Sequence, residues 1–91
     1  METYVILGTL TAPVGDAQAM QANMGKLNEA ADKMGIKLTG FFMTLGRFDM
    51  VVVLNAPTAQ TAAKFAMLLA STGMRTETLR AFKAEEALAM L

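Results

Sequence analysis

Ninety-one residues and 9.7 kDa suit one domain, which by surface scaling buries roughly 64 % of its chain surface. The apolar set AVILMFWYC makes up 54 %, and counting Gly in place of Tyr lifts the share to about 60 %, above the ~45–50 % of ordinary domains, so some apolar surface is expected to meet a partner. Eight basic and eight acidic residues cancel, removing the electrostatic case for nucleic acid or an anionic membrane, while the lack of Cys and His excludes disulfides, zinc-finger spacing, thiol nucleophiles and imidazole bases.

The chain opens Met1-Glu2-Thr3 without a basic leader, and its apolar runs fall far short of the ~20 residues of a spanning helix. A soluble, cytoplasmic protein is expected. Thr3 to Thr11, rich in β-branched and aromatic residues, reads as a strand that Ala12-Pro13-Val14-Gly15 breaks. Asp16 is placed to cap a helix whose apolar stripe is Met20, Met24, Leu27, Ala31 and Met34, with Gly35 as its stop. Ile36 to Leu45 and Phe48 to Asn55 read as two strands around Gly46-Arg47, a pair suited to a tight type II′ hairpin. Thr58 caps a second helix with the stripe Ala62, Phe65, Ala66, Leu69 and Ala70, closed by Gly73. Arg75 to Phe82 reads as a fourth strand and Glu85 to Leu91 as a short terminal helix. The order βαββαβ makes the fold class α+β, ferredoxin-like, with two helices on one face of a four-stranded antiparallel sheet.

The other face of such a sheet normally meets water and carries polar residues at alternate positions. Here a loop of two or four residues centred between Gly46 and Arg47 puts Thr44 opposite Asp49, Phe42 opposite Val51 and Gly40 opposite Val53. The alternate set, Phe41, Met43 and Leu45 with Phe48, Met50, Val52 and Leu54, is assigned to the helices. Phe42, Val51 and Val53 are then left on the open face, at a loss of about 1.5–3 kcal/mol for each side chain kept in water. A second copy packed sheet to sheet removes that loss, so a homo-oligomer, as a two-fold dimer, is expected with these three residues at its interface.

Polar candidates are few. In a 4-1-3-2 strand order, with the third strand taken to run parallel to the first and the fourth antiparallel to it, Asp49, Tyr4 and Arg80 are expected at one end of the sheet, with Asp49 and Arg80 roughly 10 Å apart between backbones. Thr76, Thr78 and Arg80 alternate as a polar lane. Tyr4, Thr44, Asp49, Thr78 and Arg80 together form a candidate ligand-binding set for a small metabolite, because an apolar wall with convergent polar groups is the usual small-molecule site. The alternative is a structural Asp49–Arg80 pair that fixes hairpin and dimer register. The nine Met are read as core filler, since soft-metal sites usually recruit Cys or His as well, and no metal or cofactor is expected. Gly8 and Gly40 mark bulges or close backbone approach, and no phosphate-loop pattern occurs.

The opening TYVILGTLT, the hairpin Thr44-Leu45-Gly46-Arg47-Phe48-Asp49 and the closing Arg75 to Phe82 together resemble the GYD-domain family, small bacterial and archaeal proteins named for a glycine–tyrosine–aspartate motif. The resemblance covers nearly the whole chain, residues 1–91, with Phe48 where the family often has tyrosine. It implies a dimeric α+β barrel of ferredoxin-like protomers and supplies no function. Related barrels include cofactor-free monooxygenases, isomerases, stress-response proteins and haem enzymes, so chemistry stays open. Two functions follow: a non-catalytic oligomeric module binding a small metabolite between sheet and partner, or a cofactor-independent enzyme with Asp49 as base, Arg80 at an oxyanion and Tyr4 as donor. A trimeric PII-like regulator ranks last, because the connection at Gly46-Arg47 is very short.

Overall fold

The computed structural model describes residues 1–11 and 15–91; Ala12, Pro13 and Val14, part of the expected strand break, lie outside them. The elements run β1 (Glu2–Leu10), α1 (Ala17–Lys33), β2 (Lys37–Met43), β3 (Met50–Ala56), α2 (Ala59–Ser71), β4 (Met74–Ala81) and α3 (Ala84–Met90). The four strands form one antiparallel-paired sheet in the order β2-β3-β1-β4, the ferredoxin-like arrangement, with α3 appended.

Both long helices start where their side chains satisfy orphan backbone donors. The Asp16 carboxylate accepts from the Ala19 N–H at 2.9 Å, and the Thr58 hydroxyl accepts from the Thr61 N–H at 3.2 Å. They end at Met34 and Thr72, each followed by a glycine of positive φ.

The core lies between α2 and the two central strands. Phe65 and Leu69 of α2 are fully buried against Ile6 of β1 and Val52 and Leu54 of β3, with Ala62 and Ala66 letting the helix approach closely. Ala70, expected in this stripe, is exposed. α1 sits differently: of its expected stripe only Ala31 is buried, and Met20, Met24, Leu27 and Met34 are half-buried. Full burial in α1 is thus confined to its C-terminal part, at Ala31.

The connection between β2 and β3 takes the longer of the two lengths the sequence allows. The Thr44 N–H donates to the Asp49 carbonyl at 2.9 Å, closing a loop of Leu45 to Phe48 rather than a two-residue turn. The expected pairs Phe42–Val51 and Gly40–Val53 are present. An irregularity between Leu38 and Gly40 leaves Thr39 as an extra residue, its hydroxyl donating to the Val53 carbonyl at 3.2 Å. That bulge lets Leu38 and Phe41, three residues apart, both turn toward the helices. Met43 and Leu45, assigned by alternation to the helix-covered face, are instead exposed, Met43 as the last residue of β2 and Leu45 in the loop that follows it.

Candidate functional site

The face of the sheet away from α1 and α2 is an apolar platform built by strand alternation. In cross-strand order one row reads Leu79, Val5, Val53, Gly40 and the next Glu77, Leu7, Val51, Phe42. Val5, Leu7, Val51 and Val53 are half-buried by their strand neighbours alone, whereas Phe42 is 57 % exposed and Leu79 44 % exposed. The Phe42 ring leans over Gly40, where a Cβ would stand 2.8 Å from the ring, so glycine is what lets the ring lie flat along the sheet. Polar groups keep to the rim: the Thr3 hydroxyl donates to Asn55 at 2.8 Å, and Lys37, Arg75 and Glu77 are exposed on the outer strands. A contiguous apolar surface with a polar rim is the anatomy of a protein interface.

The polar candidates do not converge as the sequence suggested. β2 returns parallel to β1 after its helical crossover, and the next reversal makes β3 antiparallel to β1. Gly8 pairs with Met50, so Asp49 lies beside the far end of β1. Tyr4 pairs with Arg80, whereas Leu10, the neighbour of Asp49, pairs with Met74, six residues or about 20 Å along β4. Tyr4, Thr78 and Arg80 therefore gather at one end, and Thr44 and Asp49 at the other. Thr76, Thr78 and Arg80 also face the helix side, so their lane does not border the open platform.

At the first end, Arg80 is held by the chain's own groups. Its guanidinium donates to the Thr3 carbonyl at 3.1 Å and to the Ala81 carbonyl, and lies 4.0 Å from the Glu2 carboxylate. It also stacks 4.2 Å from the Phe82 ring centroid and 5.6 Å from that of Tyr4. A ligand would have to displace these contacts. The Tyr4 ring is buried, and its hydroxyl donates to Glu2 at 2.7 Å. That hydrogen bond, then burial, then the negative charge of Glu2 raise the Tyr4 pKa above the ordinary phenol value, against the opposing pull of Arg80. A raised folded pKa means stability that is present below the unfolded phenol value and is lost as pH rises through the folded one. This sole phenol is expected to titrate above pH ~10 in near-ultraviolet absorbance, with Glu2→Gln moving its midpoint downward. A native midpoint at or below the free-tyrosine value would contradict the contact.

At the other end, Asp49 works as a clasp. Its Oδ2 accepts from the Leu10 N–H at 2.8 Å, and its own N–H donates to the Gly8 carbonyl at 2.8 Å. The Thr44 hydroxyl donates to the Phe48 carbonyl at 2.6 Å. Gly46 takes φ +101° in the loop, and the Arg47 guanidinium stands 5.4 Å from the Phe48 ring centroid. On the helix side, a cavity of about 270 Å³ opens beneath α1, lined by Met24, Leu27, Asn28, Phe41, Phe65 and neighbouring apolar groups. The half-buried Met24 and Leu27 of α1 form part of its wall.

A family model described as GYD domain matches residues 4–91. The chain belongs to the GYD-domain family. A relative from Thermus thermophilus, named glutamine synthetase and cystathionine beta-lyase binding protein, is 30 % identical over 96 residues, covering 100 % of this chain and 99 % of the relative. In this GYD domain Gly46 provides the loop's left-handed residue, and Asp49 ties the loop to the end of β1. Glu2 is the polar residue that sequence reasoning missed. The Tyr4–Arg80 pairing, which places Glu2 on the same face beside Arg80, is the signal that finds it. None of the described helices is long and apolar enough to cross a membrane.

Proposed function

We propose that this GYD-domain protein is a cytoplasmic, non-catalytic homodimer that serves as a binding protein for an enzyme of amino-acid metabolism. The observation that carries the reading is the open sheet face, where Val5, Leu7, Val51, Val53, Phe42 and Leu79 form a continuous apolar platform that no element of the chain covers among the described residues. A second copy laid on it removes that surface from water in both protomers at once, the self-complementary geometry of a two-fold interface. The name of the Thermus relative supports the choice of an enzyme as the outside partner. The enzymatic alternative is weaker, since Asp49 Oδ2 is already occupied by the Leu10 N–H and stands far from Arg80. Surface plasmon resonance of the immobilised protein against purified glutamine synthetase and cystathionine beta-lyase from its own organism tests the partner. Saturable binding to at least one is expected. Absence of binding to both would end the partner assignment and leave the dimer to be judged by its mass.

A further inference from the structure

We infer that α3 is an arm that packs on the partner protomer, completing the dimer interface that the open sheet face begins; the inference rests on the dimer proposed above. Every residue of α3 is exposed, with Leu88 71 % and Met90 60 % accessible and the following Leu91 fully so, and α3 meets no other element among the described residues. Yet it is built to pack. Ala84, Ala87, Leu88 and Leu91 recur at spacings of three, one and three, one apolar stripe, while Glu85, Glu86 and Ala89 occupy the opposite side.

Seven residues make a helix of about 10 Å, well below the ~12–15 residues at which an isolated helix becomes even marginal in water. Its local supports are small. The Glu86 carboxylate accepts from the Lys83 N–H at 3.0 Å, and Glu85 and Glu86 sit favourably in the first turn. Neither offsets helix nucleation, so the ordered α3 calls for a surface outside its own protomer.

The area needed by a dimer points to a second copy as that surface. The six apolar side chains of the platform, four of them already half-buried, expose on the order of 400 Å², about half of the ~800 Å² per partner in a stable interface. Leu88 and Leu91, both on the stripe, offer a further amount of the same order. α3 is also continuous with the platform: it begins three residues after Ala81, on the outer strand whose Leu79 forms the platform's edge. Under a two-fold axis each arm reaches the other protomer, so the surface is added twice.

Amide hydrogen exchange on the full-length protein reads the arm directly. The α3 amides are expected to be protected in the wild-type dimer and unprotected in Val53→Lys, whose introduced charge opposes sheet-to-sheet packing. Sedimentation measures the linkage. Leu88→Glu, on the stripe, is expected to raise the dimer dissociation constant at least about 100-fold, and Ala89→Glu, on the opposite side, to leave it within about threefold. A dimeric wild type with unprotected α3, or with Leu88→Glu and Ala89→Glu alike in affinity, would overturn the arm and spare the dimer. A protomer that retains α3 protection in monomeric Val53→Lys would also overturn it, by showing that α3 docks at home. A wild type that is monomeric at micromolar concentration would remove the dimer itself, and the arm with it.

Discussion

Val53→Lys is expected to turn a dimer into a folded monomer of about 9.7 kDa. Val53 sits in the middle of the platform, paired with Val5 on one side and Gly40 on the other. In a lone protomer the new side chain runs out over a solvated sheet face, at a strand-preference loss of no more than about 1 kcal/mol. In the dimer, two ammonium groups must leave water near the two-fold axis, while the carboxylate of this face, Glu77, stands out on the rim strand, so their burial costs several kcal/mol each. The dissociation constant should therefore rise at least about 1,000-fold, since each 1.4 kcal/mol is a factor of ten. Sedimentation velocity, with far-ultraviolet circular dichroism to confirm the fold, reads both parts. A dimer of undiminished affinity would place the interface elsewhere.

Asp49→Ala is expected to lower stability by about 2 kcal/mol, or roughly 8–16 °C in Tm for a domain of this size. The carboxylate's bond to the Leu10 N–H is charge-assisted, and its removal leaves a part-buried donor unsatisfied just where β1 parts from β3. Asp49→Asn keeps an acceptor oxygen and is expected to recover a good part of the loss. Thermal unfolding of the three proteins decides the matter. A Tm unchanged by Asp49→Ala would show that the clasp contributes nothing and would return Asp49 to the pool of functional carboxylates.

The sequence made the element order readable because each boundary carries its own chemistry: Asp16 and Thr58 as caps, Gly35 and Gly73 as stops, and β-branched runs between them. The pairing of β2 with β3 was equally readable, since it depends only on a loop centred at Gly46 and Arg47. The direction of β3 relative to β1 depends instead on the crossover of α1 followed by a reversal. Taking it as parallel moved Asp49 to the wrong end and joined two clusters into one site. Alternation also overstated burial at Met43 and Leu45, because a side chain's face does not tell whether a helix covers it. The Thr39 bulge carries no mark of its own in the sequence, as threonine suits an ordinary strand position equally well. α3 was legible as a helix from its composition. That it meets no other element among the described residues is a property of the tertiary structure alone.

The six apolar side chains on the open sheet face are what the account depends on, and the mass of the native particle tests them most directly. Sedimentation equilibrium of the wild-type protein at micromolar concentration is predicted to give twice 9.7 kDa, with dissociation only on strong dilution. A particle of 9.7 kDa under those conditions would leave Phe42, Val51 and Val53 facing water and contradict the account.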